Sequence, residues 1–249
     1  SVASAGPLPL WEEGTMPGAA TARAERTDAH GGIWDVSVPT LEFLSAPNPE
    51  GKPLPTVLVV PGGGYQMVSY ANEGKGPAAW LNARGVNAAI LKYRVPGDRP
   101  AALRDALRAL ELLRQNAAAW HVDAKRLGMI GFSAGAHLTA SVLAKPDHGL
   151  SCAMLIYPAY LSKDGAALAP EVVPYDPSVP TFLTQCADDR AYVLSSLAYA
   201  GHLLKAGRPA DYHLYATGGH GFSFHPAAGR PYAQWLAELE AWLRENGAI

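Results

Sequence analysis

Short continuous apolar segments alternate with helix-forming segments along most of the chain. A continuous apolar segment is typical of a strand buried on both faces of a sheet, and its alternation with helices indicates parallel strands. Strands are predicted over 34–44, 56–60, 86–93, 127–132, 152–157, 181–186 and 211–215. Helices are predicted over 73–84, 100–120, 134–144, 193–206 and 231–246. The pattern therefore predicts an α/β fold with a mainly parallel central sheet and helices on both faces.

The segments that lack this pattern indicate the domain organisation. Residues 1–30 are rich in Pro, Gly and Ala, which predicts an extended N-terminal arm lying on the domain with Trp11 as its anchor. Residues 31–249 are expected to form a single domain, because neither a linker nor an internal repeat interrupts the alternation. Within it, the segment 158–180 is rich in Pro and small residues and is expected to be an irregular insertion.

Composition and charge mainly exclude classes of partner. The 249 residues carry a formal net charge of −2 without a cluster of Lys or Arg, which argues against nucleic acid and anionic membranes. No apolar segment approaches the roughly 18 residues of a membrane span. Cys152 and Cys186 lie in predicted strands and are expected to be buried free thiols. The compartment stays open, with a secreted or periplasmic location favoured over the cytoplasm.

A Gly-x-Ser-x-Gly pattern joins a predicted strand to a predicted helix, with Ser133 between Gly131 and Gly135. In this context the pattern is typical of a nucleophile elbow. The turn is so sharp that a Cβ at either glycine would collide with neighbouring atoms. It lifts the serine hydroxyl above the sheet, next to the positive end of the following helix. Ser133 is therefore the predicted nucleophile.

A serine nucleophile needs a base, and the base needs a carboxylate that orients it. His220 lies in a Gly-rich loop after the last predicted strand, where an imidazole can reach the carboxyl edge of the sheet. Asp188 and Asp189 follow the strand before it. Asp189 is the predicted acid, because it lies further from the strand end, where the chain has turned back. Asp188 would then cap the turn or the following helix.

A tetrahedral intermediate carries an oxyanion, which needs preorganised hydrogen-bond donors. The segment Pro61-Gly-Gly-Gly64 ends a predicted strand with bare backbone amides. The amides of Gly63, Gly64 and Ala134 can converge on one oxygen and are the predicted oxyanion hole. A phosphate-binding loop is excluded, because neither Gly-Lys-Ser/Thr nor a helix-opening Gly-x-Gly-x-x-Gly is present.

These motifs together resemble the α/β-hydrolase superfamily, and most closely the small bacterial esterases that include acetyl xylan and feruloyl esterases. The motifs are Pro-Gly-Gly-Gly-Tyr at 61–65, Lys-Tyr-Arg at 92–94, Gly-Phe-Ser-Ala-Gly-Ala-His-Leu at 131–138, Asp-Asp at 188–189 and Gly-Gly-His-Gly-Phe at 218–222. The similarity covers about residues 35–247. Two features depart from the family pattern: Pro61 precedes the triple glycine where hormone-sensitive-lipase relatives have His, and Arg-Ala-Tyr-Val follows Asp189 where Val-Pro is commoner.

The resemblance implies an α/β-hydrolase fold and a serine carboxylesterase that hydrolyses short-acyl esters through an acyl-enzyme, without a metal or cofactor. The substrate it implies is a small-molecule or oligosaccharide ester, with an acetyl group on a carbohydrate such as xylan favoured. It maps the nucleophile onto Ser133, the base onto His220 and the acid onto Asp189. It maps the oxyanion hole onto Gly63, Gly64 and Ala134. The oligomeric state stays open.

Some residues and functions keep two interpretations at this stage. Tyr65 and Gln66 follow the glycine loop and are expected to line the substrate pocket, with packing at its rim as the alternative. Tyr157 and Tyr160 have the same two interpretations. A peptidase of the prolyl oligopeptidase type is the first alternative function, although no accessory domain fits into this chain. A non-catalytic binding module on the same fold is the second.

Overall fold

The computed structural model describes residues 6–208 and 210–249, and these residues form two β-sheets. The strands are β1 (Leu8–Pro9), β2 (Arg26–Thr27), β3 (Ile33–Trp34), β4 (Thr40–Leu44), β5 (Leu54–Val60), β6 (Met67–Val68), β7 (Asn87–Lys92), β8 (Val122–Phe132), β9 (Cys152–Ile156), β10 (Thr181–Cys186) and β11 (Asp211–Tyr215). Eight of the described strands form the central sheet, in the order β1-β4-β7-β5-β8-β9-β10-β11. All neighbours from β7 to β11 pair in parallel, whereas β1 and β4 are antiparallel additions at one edge. The predicted α/β fold with a mainly parallel central sheet is confirmed.

Helices flank this sheet. They are α1 (Gly76–Asn82), α2 (Arg99–Gln115), α3 (Ala117–Trp120), α4 (Ala134–Leu143), α5 (Val193–Lys205) and α6 (Trp235–Glu245). A π-helical turn (Ala71–Lys75) precedes α1, and 3₁₀ turns lie at Pro170–Val172 and Pro231–Gln234. The start of α2 shows how local chemistry sets a boundary: the Asp98 carboxylate accepts a hydrogen bond from the Ala101 amide at 3.0 Å, with Pro100 in the first turn.

Strands β5 and β8 lie at the centre of the sheet and position the functional end of the molecule. Every residue of β5 is buried, as are Leu127 to Phe132 of β8. Burial on both faces explains why these strands read as continuous apolar segments in the sequence. Because β5, β8, β9, β10 and β11 are parallel, the loops that follow them emerge at the same edge of the sheet.

Two predicted elements are shorter than expected, because a local residue interrupts each. The strand predicted over 34–44 is two strands, since Asp35 has a positive φ of 53° and Pro39 precedes β4. The helix predicted over 100–120 ends at Gln115 and resumes at Ala117. The side chain of Asn116 donates to the Leu112 carbonyl at 2.9 Å and so competes with the helical backbone.

The N-terminal segment lies against the domain. Strand β1 pairs with β4, Leu10 is fully buried, and the Trp11 indole donates to the Asp105 carboxylate at 2.9 Å. Asp105 also forms a buried ion pair with Arg94. The domain boundaries at 30 and 31 stay a prediction, and residues 1–5 of the predicted arm lie outside the described residues.

The sequence also makes predictions about the two cysteines and about membrane-spanning helices. Both cysteines, Cys152 and Cys186, are buried and unpaired with each other. Among the helices of the described segments, none combines the length and the apolar character that crossing a bilayer requires.

Candidate active site

The Gly-x-Ser-x-Gly segment forms the sharp turn between β8 and α4. Ser133 has φ 56° and ψ −116°, a conformation that costs a residue other than glycine about 1–3 kcal/mol. A Cβ at Gly131 would lie 2.2 Å from the Gly135 carbonyl oxygen, and one at Gly135 would lie 2.1 Å from the Val60 carbonyl oxygen. Both glycines are therefore required by close backbone approach, as the sequence predicts.

Three of the predicted residues form a hydrogen-bonded row at the carboxyl edge of the sheet. The Ser133 Oγ lies 2.7 Å from His220 Nε2, and His220 Nδ1 lies 2.6 Å from Asp189 Oδ2. Asp189 is buried, and the Gln185 amide also donates to its Oδ2 at 2.9 Å. With its proton on Nδ1, the imidazole offers a free lone pair to the serine hydroxyl. This arrangement can remove the hydroxyl proton and stabilise the imidazolium that results.

The neighbouring carboxylate, Asp188, holds the histidine loop and not the imidazole. It accepts hydrogen bonds from the Gly218 amide at 3.2 Å and the Gly219 amide at 2.9 Å. These hydrogen bonds, that of Gly219 foremost, lower the pKa of the Asp188 carboxyl below its usual value. The prediction that Asp188 caps the following helix is wrong, because both amides belong to the loop after β11 and α5 has no side-chain cap.

The glycine loop after β5 lies beside the serine. Gly63 and Gly64 line the same cleft as Ser133, and both have positive φ values, 134° and 65°. Ala134 is the first residue of α4, so its amide lies at the positive end of that helix. Within the described parts of the chain, none of these three amides donates to a protein acceptor. They are therefore available to an oxygen atom of a ligand.

A buried carboxylate, Glu73, connects the segments that surround the site, and no sequence pattern predicts this role. Its Oε1 accepts from the Gly62 amide at 3.0 Å, and its other oxygen accepts from the Tyr157 hydroxyl. The Tyr157 hydroxyl in turn accepts from the Ser223 amide at 3.2 Å, in the loop that carries His220. Burial raises the pKa of Glu73. Its place in a predicted helix gave no sign of burial, since acidic residues in helices are commonly solvated.

We expect the stability difference between wild type and Glu73→Gln to depend on pH. Because the folded-state pKa of Glu73 is raised, the folded protein keeps a proton that the unfolded chain releases near 4.5. Wild type therefore loses stability as pH rises from there through the folded-state pKa, and the glutamine variant has no such loss. Within that window, the unfolding free energy of Glu73→Gln should rise relative to that of wild type by about 1.4 kcal/mol per pH unit.

Urea unfolding of both proteins across this pH range measures the shift. Glu245→Gln is the matched control, because Glu245 lies exposed at the end of α6. A difference between Glu73→Gln and wild type that stays flat with pH would contradict the assignment of a raised pKa.

The prediction that Tyr65 and Gln66 line the substrate pocket needs correction. Tyr65 is buried, because the tight turn after Gly63 directs its ring inward, where its hydroxyl lies 2.7 Å from His137 Nδ1. Gln66 is exposed on the outside of the same turn and does not line the cleft at Ser133. His137 is buried beneath the elbow, and its Nε2 lies 3.1 Å from Glu171. Burial lowers the pKa of His137.

The cleft above Ser133 is small and open at the surface. It has a volume of about 330 Å³ and contains the hydroxyl of Ser133 and the ring of His220. Met67, Asn72, Tyr160 and Tyr192 also line it. Of the two tyrosines with two interpretations, Tyr160 therefore borders the cleft, whereas Tyr157 is fully buried.

Comparisons with known proteins agree with this fold. The sequence model of the family described as BD-FAE matches residues 43–151 of this chain. An acetylxylan esterase from Xylanibacter ruminicola is 27% identical over 225 residues, which cover 79% of this chain and 46% of the relative. An endo-1,4-beta-xylanase B from Butyrivibrio fibrisolvens is 38% identical over 97 residues, which cover 36% of this chain and 15% of the relative. The chain thus spans less than half the length of either curated relative.

Solved structures cover nearly the whole fold. An acetyl ester-xyloside bifunctional hydrolase from Caldicellulosiruptor lactoaceticus has a TM-score of 0.80 and 28% identity, over 98% of this chain and 97% of that one. MGS-M1, an alpha/beta hydrolase enzyme from a Medee basin deep-sea metagenome library, has a TM-score of 0.72 and 27% identity, over 91% of this chain and 98% of that one. The chain has the fold of an α/β hydrolase. Within that class its sequence and fold are similar to those of esterases that act on acetylated carbohydrates.

Proposed function

We propose that this chain is a serine esterase that removes short acyl groups, acetyl foremost, from carbohydrates such as xylan. The observation that carries the proposal is the hydrogen-bonded row from Ser133 through His220 to Asp189. Each member has the chemistry that its position requires: a hydroxyl on a strained turn, an imidazole lone pair facing it, and a buried carboxylate behind the imidazole.

Acylation begins when His220 Nε2 takes the hydroxyl proton and Ser133 Oγ forms a bond to the ester carbonyl carbon. The carbonyl oxygen becomes an oxyanion, which the amides of Gly63, Gly64 and Ala134 stabilise. Each such donor contributes about 3 kcal/mol to the transition state. The imidazolium, stabilised by Asp189, then gives its proton to the leaving alkoxide as the carbon–oxygen bond breaks. The alcohol departs and the acyl group stays on the serine.

Deacylation repeats these steps with water as the nucleophile. His220 takes one proton from the water as its oxygen bonds to the acyl carbon, and the same amides stabilise the second oxyanion. The imidazolium then returns the proton to Ser133 Oγ, and the carboxylic acid leaves. No net redox change occurs, and each proton taken by the imidazole is returned.

The size of the cleft supports a small acyl group. The cleft at Ser133 has a volume of about 330 Å³ in total, which a long alkyl chain would overfill. The names of two relatives support the carbohydrate part: one is an acetylxylan esterase and the other an acetyl ester-xyloside hydrolase.

Acyl-chain selectivity tests this proposal directly. We expect kcat/KM for p-nitrophenyl acetate to exceed that for p-nitrophenyl palmitate by at least about a hundredfold, because each unaccommodated methylene carries a binding cost. The assay compares initial rates of p-nitrophenol release below the micelle-forming concentration of the palmitate. Faster turnover of the palmitate would refute a short-acyl esterase, and cleavage of peptide substrates in place of both esters would indicate a peptidase.

A further inference from the structure

A second, larger cleft adjoins the cleft at Ser133. It has a volume of about 700 Å³ and lies between the insertion 158–180 and the start of α5. Tyr160 and Tyr192 line both clefts, so the two clefts adjoin at these rings. A substrate that is seated at the serine and is longer than the first cleft would reach the larger one at these rings. We call it the alcohol cleft.

The direction of proton transfer decides which part of an ester enters the alcohol cleft. Under the proposed function, His220 gives its proton to the leaving oxygen, so the alcohol must lie on the histidine side of the carbonyl carbon. The oxyanion points to the glycine loop. The Tyr192 ring lies 5.0 Å from the His220 ring. An alcohol beside the imidazole therefore meets Tyr192 first and the alcohol cleft behind it.

Aromatic rings and a cation form the wall of this cleft. The rings of Tyr192 and Tyr160 are 5.7 Å apart at 87°. The Arg99 guanidinium lies 4.7 Å from the centre of the Tyr160 ring and 4.9 Å from that of Tyr65. Contact with two rings holds the planar guanidinium in place. Arg99 is exposed and lines the alcohol cleft, so its N–H groups are available to a ligand.

The polar groups of the alcohol cleft suit a neutral polyhydroxylated ring. Arg99 and Lys163 supply donors, and Asp164 and Glu171 supply acceptors. A hydroxyl group both donates and accepts, so a sugar ring can satisfy groups of both kinds. A long apolar alcohol would leave them desolvated and unpaired, which disfavours its binding. The tyrosine faces offer the flat apolar contact that the C–H groups of a pyranose can cover.

We propose that the alcohol cleft binds the sugar residues next to the acetylated one, with Tyr192 and Arg99 as specificity-determining residues. The inference rests on the proposed esterase function and adds to it the orientation of the substrate. It makes the enzyme selective for oligosaccharide esters through contacts at Arg99, which lines the alcohol cleft alone and which the short p-nitrophenyl ester does not reach.

The test compares two substrates in five proteins. We would measure kcat/KM for acetylated xylo-oligosaccharides and for p-nitrophenyl acetate in wild type, Arg99→Ala and Tyr192→Ala. Arg244→Ala and Tyr175→Ala are matched controls, since both residues are exposed and neither lines a cleft at the site. Free xylotriose is added to p-nitrophenyl acetate assays of each protein as a competitive inhibitor, which probes the alcohol cleft without the ester.

We expect the ratio of the two kcat/KM values to fall about tenfold in Arg99→Ala and to stay at the wild-type value in the controls. Tyr192→Ala should lower kcat/KM for both substrates, because Tyr192 also lines the cleft at Ser133. The inhibition constant of xylotriose should rise by a similar factor. A ratio unchanged in Arg99→Ala would overturn the inference while leaving the esterase proposal intact. Failure of wild type to hydrolyse p-nitrophenyl acetate would instead overturn the proposed function. Should Tyr192→Ala fail to fold, the Arg99→Ala variant alone decides whether the inference holds, because Arg99 is exposed.

Discussion

Replacement of Ser133 by alanine is expected to lower kcat for p-nitrophenyl acetate by about 10⁶-fold. The reason is that His220 and Asp189 act only through the bond that this hydroxyl forms. Oxyanion stabilisation and substrate binding stay in the variant, which leaves a residual rate above that of water. Steady-state kinetics at saturating ester, together with labelling by a fluorophosphonate probe, measure the loss. Wild type should take up one probe molecule and Ser133→Ala none.

Ser141→Ala is the matched control for this experiment. Ser141 lies on the same helix, α4, and its hydroxyl donates only to the His137 carbonyl at 2.8 Å. The control should be labelled like wild type and keep its turnover. Undiminished turnover of Ser133→Ala, or labelling of a different residue, would remove the basis of the proposed mechanism.

The two adjacent aspartates offer the second large effect. Asp189→Asn is expected to lower kcat by about 10⁴-fold, because the imidazole loses the carboxylate that fixes its tautomer and stabilises its charged form. The amide can also present an N–H to His220 Nδ1, which favours the tautomer with its proton toward Ser133. Binding of ester should change far less than kcat, and pre-steady-state acylation rates measure the chemical step itself.

Asp188→Asn tests whether the effect is specific to one carboxylate. Asp188 contacts the amides of Gly218 and Gly219 and not the imidazole, and an asparagine oxygen can still accept one of these hydrogen bonds. We expect less than about a tenfold decrease in kcat, together with a small loss of stability. A larger decrease in Asp188→Asn than in Asp189→Asn would reassign the acid.

The sequence predicts the parallel strands well because burial on both faces leaves a continuous apolar signal. Strand β10 begins and ends where the pattern indicates, at Thr181 and Cys186. The two-residue strands β1, β2 and β6 are too short to show any period, so their pairing is invisible before the chain folds. The break at Asn116 depends on one side-chain hydrogen bond, which periodicity does not record.

The candidate site shows the same division between local and tertiary information. Ser133 and His220 stand in glycine-rich segments whose spacing reflects local backbone geometry, so sequence alone can point to them. The inward direction of Tyr65 and the burial of Glu73 depend on which residues pack above them. No pattern of neighbouring residues records that packing.

The site is assembled from segments far apart along the chain. Ser133 and His220 are 87 positions apart in the sequence. Ser133 follows β8 and His220 follows β11, so strands β9, β10 and β11 come between them along the chain. Parallel pairing of this kind is non-local and slow to form. A molecule with only its first half folded would hold the hydroxyl without its base. Catalytic turnover therefore reports completed folding of the sheet out to its last strand, and partly folded molecules contribute nothing to it.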